Sequence, residues 1–158
     1  MAMGWYPLWM QDFEFSARVR SKGQEGAVVT TRKVTWEVGL PLQFDVEYDG
    51  ITAVEQVAAA VAADLVVGLK RLARRKRLDV DNVEALIRWQ LGNPLVYLGV
   101  VGEEGSVAIE SMHVRVYVET LDDEEDVLPV WEEVKRRSPL FQTFSKISNL
   151  KTELVLVM

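Results

Sequence analysis

The chain has 158 residues, 49% of them hydrophobic, a formal net charge of −6 and no cysteine. That length and apolar content suffice for a single domain over 1–158 with a proper core, and the acidic balance argues against a nucleic-acid-binding protein as a whole. Without cysteine, disulfides, zinc–cysteine sites and thiol catalysis are excluded.

Residues 1–11, MAMGWYPLWMQ, are apolar and aromatic but lack a basic leading segment and a small-residue cleavage site. They are too short to span a bilayer, and they read as an N-terminal arm that packs on the domain or on a second subunit. No later stretch is long and apolar enough to be transmembrane, so a cytoplasmic protein without membrane association is expected. From Asp12 to Arg20, Phe13, Phe15, Ala17 and Val19 alternate with polar residues, which predicts a strand with one wet face. Lys22 to Gly26 turns the chain. Ala27 to Val38, rich in Val, Thr and Trp, predicts a second strand, and Phe44 to Tyr48 a short third one.

Gly50 to Arg77 predicts one long helix. Thr52 and Glu55 make the T-x-x-E capping box of a helix start, and Val54, Val57, Val61, Leu65, Leu69 and Leu72 follow at steps of three and four. Between Val57 and Leu69 the flanking residues are Ala, Val and Gly, so this portion is expected to be buried nearly all round. Asp64 breaks the pattern. Its neighbours one turn away, Ala60, Val61, Val67 and Gly68, carry no charge, and a carboxylate there needs a partner from another element.

Val83, Ala85, Ile87, Trp89 and Leu91 alternate as a strand that Asn93-Pro94 ends, and the apolar run Leu95 to Val101 fits strand or loop. Val107 to Thr120 alternates as a strand. An acidic run, Leu121 to Asp126, opens a helix carrying Val127, Leu128, Val130, Trp131 and Val134. That helix ends near Arg136-Arg137, because the residue before Pro139 disfavours helical geometry. Leu140 to Lys146 predicts a shorter helix and Thr152 to Val157 a closing strand. The order is βββ, long helix, ββ, two helices, β, an α+β protein.

Three local features stand out within that order: Gly50-x-Thr52-x-x-Glu55 opening the helix, the run Ala58-Ala59-Ala60-Val61-Ala62-Ala63, and the late Ser138-Pro139. On these, from about Asp12 to the C-terminus, the chain resembles the OsmC/Ohr family, whose members commonly reduce organic hydroperoxides with a pair of cysteines. The resemblance implies an OsmC-like α+β fold with antiparallel sheets packed on a long central helix, and an intertwined homodimer with the central helices buried at its middle. In the same register the family's peroxidatic cysteine falls on Asp64 and its resolving cysteine on Ser138. The family's glutamate falls on Val54, or on Glu55 with a one-residue slip, and the arginine of its Gly-x-x-Gly turn falls on Gln24. Neither aspartate nor serine can replace a thiolate attacking an O–O bond. The resemblance therefore implies the shared fold without the family's thiol peroxidase activity, and a role in ligand binding or stress.

Asp64, Ser138 and Glu55 are the candidate ligand-binding residues, and no catalytic residue is singled out. Two roles fit Asp64: a structural carboxylate at a dimer interface, paired with an arginine such as Arg18, Arg20 or Arg115 or held by hydroxyls, or a polar anchor in the pocket of the absent cysteine, able to act as a general base or to bind a cationic ligand. The small ligand such a pocket would take is partly apolar. An alternative is a hydrolase-like enzyme using Asp64 and the lone His113, although Ser138 fits a helix end before proline better than a nucleophile. Asp122 to Asp126 lack the ligand pattern of a calcium loop and fit a solvated helix N-terminus, so no metal or cofactor is expected. Lys70 to Arg77 fits a helix C-terminus favoured by the dipole, with polyanion binding as the alternative.

Overall fold

The computed structural model describes residues 15–24, 26–39 and 50–157. The chain divides into two compact units, Met1–Ala53 and Val54–Met158. In the first, β1 (Arg18–Lys22), β2 (Gly26–Thr31) and β3 (Val34–Val38) form an antiparallel sheet in that order. The single strand expected over Ala27 to Val38 is thus a hairpin. The chain reverses at Arg32-Lys33, with Arg32 at φ 49°, and Thr30 and Thr35 meet across the ladder with their hydroxyls 3.1 Å apart. No Gly, Asn or Pro marks this reversal; its only cue is two adjacent cations among β-branched residues. All five residues of β1 are exposed, as is Phe15, so no described residue supplies the covered face that the alternation predicts. The N-terminal arm and the strand expected at Phe44 to Tyr48 lie outside the described residues.

The second unit is built on α1 (Ala53–Lys76), followed by β4 (Val80–Leu91), α2 (Pro94–Tyr97), β5 (Ile109–Thr120), α3 (Glu124–Arg137), α4 (Pro139–Ile147) and β6 (Asn149–Val157). Its sheet has the order β4-β5-β6. β4 runs antiparallel to β5, but β6 runs parallel to it. This corrects the expectation of purely antiparallel sheets. Two helices occupy the connection from β5 to β6, and a connection of that length lets the chain return to the starting end of β5, which a tight hairpin cannot do. The run Leu95 to Val101, expected as strand or loop, begins as the short helix α2: the Asn93 side chain accepts from the Leu95 N–H at 3.1 Å and Pro94 supplies a helical φ at the first position. No helix among the described residues is long and apolar enough to cross a membrane.

The core lies between the inner face of this sheet and the helices. The inner residues of β5, Met112, Val114, Val116 and Val118, are fully buried against Val61, Leu65, Leu69 and Leu72 of α1 and Val130, Trp131 and Val134 of α3. Each such aliphatic side chain contributes about 1.5–3 kcal/mol when removed from water. Lys70 anchors the far end of α1, donating to the carbonyls of Val80 and Asp81 at 2.6 Å each. Gly68 brings α1 close to α3, since a Cβ there would stand 3.1 Å from Val134 Cγ1.

The expected all-round burial of Val57 to Leu69 does not hold within one chain. One sheet and α3 cover only one side of the helix, and Val57, Ala59, Ala60, Ala63 and Val67 are exposed on the other, Val67 to 63%. Leu65→Ala is expected to lower the unfolding free energy by about 2–5 kcal/mol, through lost burial and an unfilled cavity. Gly68→Val should lower it by about 1–3 kcal/mol by overpacking against Val134; urea denaturation measures both.

Candidate ligand-binding site

Asp64, Gly68, Arg71 and Arg75 follow one another along α1 at steps of four, three and four, a stripe on the flank of the buried one. Facing it is the joint between α3 and α4, and Ser138 makes that joint. Its backbone is extended (φ −78°, ψ 114°), as a residue before proline prefers, so α3 stops and Pro139 opens α4. The Ser138 N–H donates to the Val134 carbonyl at 2.9 Å, closing α3, while its Oγ accepts from the Phe141 N–H at 3.0 Å, capping α4. The same hydroxyl donates to Asp64 Oδ2 at 2.5 Å, and the Leu140 N–H approaches that oxygen at 3.4 Å.

Asp64 thus finds its partners in a hydroxyl and the N-terminus of α4, both favourable to a carboxylate. Ser138 is buried, Asp64 half-buried, and the two positions that the resemblance assigns to cysteines are in direct hydrogen-bond contact. Arg115, one partner open to Asp64 on sequence grounds, is engaged elsewhere: its Nε lies 2.8 Å from Glu153 Oε2. Hydrogen bonding to the Tyr117 side chain, and then to the Glu153 carboxylate, holds the Arg115 guanidinium above its ordinary pKa.

A groove of about 380 Å³ opens beside this pair. Val67, Leu72 and Val134 supply apolar wall, and Arg71, Arg75 and Arg137 stand with Asp64 as its charged groups. Arg137 pairs with Glu133 at 2.5 Å one turn back along α3. Arg71 and Arg75 have no ion-pair partner among the described residues. The basic run Lys70 to Arg77 is therefore not one surface: Lys70 binds two carbonyls, Lys76 lies 3.7 Å from Glu133, and only Arg71 and Arg75 turn to the groove.

The other candidates lie apart. Glu55 is nine residues before Asp64, which on a helix is about 13 Å along the axis and half a turn around it; Val54 is as far away. Gln24 sits exposed at the β1–β2 turn. His113 points from the opposite face of the sheet to the core and meets Glu153 at 3.7 Å, so it forms no triad with Ser138 and Asp64. In the acidic run, Asp122 accepts from the Asp79 N–H at 2.6 Å and from Thr120 Oγ1 at 3.3 Å, and Asp123 starts α3. No cluster of metal-ligating side chains occurs among the described residues. Among the described residues the Ser138 hydroxyl hydrogen-bonds the Asp64 carboxylate and the Phe141 N–H, and no histidine or lysine contacts it.

Ser138→Ala should lower stability by about 1–3 kcal/mol, because it removes the α4 cap and strips Asp64 of its hydroxyl donor. Asp64→Asn, which keeps an acceptor oxygen, should be milder. In the double variant the two losses should fall short of additive by about 0.5–3 kcal/mol in denaturant titrations.

No protein-family model matches the sequence, and no curated protein matches it. Solved structures do resemble the chain. An OsmC-like protein from Mycoplasma pneumoniae matches with a TM-score of 0.73 at 10% identity, covering 92% of this chain and 97% of its own. An organic hydroperoxide resistance protein from Elizabethkingia anophelis matches with a TM-score of 0.68 at 13% identity, over 92% of this chain and 99% of its own. The organic hydroperoxide resistance protein OhrB of Bacillus subtilis matches with a TM-score of 0.57 at 17% identity, over 89% and 98%. At these identities what is shared is the architecture, and the chain has the OsmC-like α+β fold.

Proposed function

We propose that this chain is a divergent OsmC/Ohr-family protein that has no thiol peroxidase activity and binds a small, partly apolar ligand bearing an acidic group in the groove beside Asp64. The observation that carries this is the pairing of an apolar wall with two arginines, Arg71 and Arg75, that have no ion-pair partner among the described residues. Guanidinium groups recognise carboxylate, phosphate or sulfonate oxygens in a planar, two-pronged way, and the aliphatic remainder of a ligand would lie on Val67, Leu72 and Val134. Asp64, held by Ser138 and the start of α4, acts as the polar boundary of the groove and repels an anion placed too deep.

The protein acts as a homodimer in this proposal. The exposed strip Val57, Ala60, Ala63 and Val67 on α1 is apolar and narrow enough for a second copy of the helix to approach closely, and Val67 belongs to both the strip and the groove. A ligand seated there would lie at the edge of the subunit interface. The solved structures named for organic hydroperoxide resistance support a stress-related context, with the chemistry removed along with the thiols.

Native mass spectrometry of freshly purified protein should show a dimer carrying extra mass that is lost on denaturation. Octanoate is expected to bind in calorimetric titrations, and octanol, its neutral counterpart, at least about tenfold more weakly. Arg71→Gln should weaken octanoate binding about tenfold, and Asp64→Asn should strengthen it. Equal binding of octanoate and octanol would refute the acidic-group requirement. Thiol-dependent hydroperoxide turnover faster than the reductant alone would refute the absence of peroxidase activity.

A further inference from the structure

The outer face of the second sheet, turned away from α1 and the groove, carries an ordered set of polar side chains. The register places Arg88 of β4 opposite His113 of β5, and His113 opposite Lys151 of β6. All three are exposed. Neighbouring strands stand about 4.8 Å apart, so three basic side chains line up across three adjacent strands. Arg88 and Lys151 thus flank His113 from the two neighbouring strands, and neither has a carboxylate opposite it in this row.

One row along on this face lies the carboxylate of Glu153. It is engaged by Arg115 at 2.8 Å and reaches His113 Nε2 at 3.7 Å, while Arg88 and Lys151 enter no ion pair among the described residues. In the row on the other side, Gln90 pairs with Ser111 and Ser111 with Asn149, three neutral hydrogen-bonding side chains beside the three basic ones. These six residues border a hollow of about 590 Å³.

We propose that this sheet face binds the phosphate group of a small phosphorylated ligand. Arg88, His113 and Lys151 would contact the phosphate from three strands, and Gln90, Ser111 and Asn149 would hydrogen-bond the adjoining part of the molecule. A phosphate monoester suits the row better than a carboxylate, because it offers three terminal oxygens and close to two negative charges where a carboxylate offers two oxygens and one charge. The site is separated by the sheet from the groove at Asp64, so either can fail without the other.

His113 is the only histidine in the chain, so its imidazole proton resonances report on this face without ambiguity. The full-length protein is titrated with inorganic phosphate and with pyrophosphate, against sodium chloride at matched ionic strength. A saturable shift of the His113 resonances that chloride does not reproduce is expected. Arg88→Gln and Lys151→Gln should each weaken it about tenfold, while Arg74→Gln, which removes a cation elsewhere, should leave it unchanged. Circular dichroism confirms that these exposed-site variants are folded. The proposal is overturned if no saturable shift appears by about 20 mM phosphate, or if the shift survives both sheet substitutions. An oligonucleotide that binds this face more tightly than pyrophosphate, with a steep salt dependence, would also overturn it by making the ligand a polymer.

Discussion

The packing of one stripe of α1 on the inner face of β5 is the constraint from which the rest of the second unit follows. Val61, Leu65, Leu69 and Leu72 can leave water only by lying against Met112, Val114, Val116 and Val118, and α3 closes the same core with Val130, Trp131 and Val134. Because a single three-stranded sheet and one helix cover only part of a helix circumference, the opposite side of α1 is apolar and exposed within one chain. The position of the groove follows from the same arrangement. It lies on the flank, where α1 is no longer covered by the sheet and is met instead by the α3–α4 joint.

At that joint, one serine does three jobs, two with its hydroxyl and one with its backbone N–H. Its hydroxyl accepts from the Phe141 N–H and donates to Asp64, while its backbone N–H ends α3. The proton it donates leaves its lone pairs available to cap α4, so capping and holding the carboxylate do not compete. The result is a polar contact linking three helices, and it satisfies a carboxylate that the surrounding Ala and Val residues cannot.

The chain is acidic in total, yet two of its surfaces carry cations without an acidic partner among the described residues. Acidic residues concentrate in the first turn of α3 and along its exposed side, where Glu133 also engages Lys76 and Arg137. Arg71 and Arg75 at the groove, and Arg88 and Lys151 on the outer sheet face, have no such ion pairs among the described residues. Net charge governs long-range behaviour of the whole molecule, whereas recognition of a small anion depends on the few cations within its reach.

Much of this was legible in the residues themselves. Period-two alternation marked β4 and β5, the three-four spacing marked α1 and α3, and Ser138-Pro139 marked where one helix stops and the next begins, because these are local properties of side-chain direction and backbone sterics. The need of Asp64 for a partner was equally plain from its uncharged neighbours. Its partner was not, since Ser138 is 74 residues away and only the folding of α3 back onto α1 brings it within reach. Tertiary structure likewise decided that β6 pairs parallel to β5, that Ala27 to Val38 turns back at Arg32-Lys33, and that Arg71 and Arg75 face a groove while Lys70 does not. Periodicity tells which residues share a face. It is the packing of distant elements that determines what each face meets.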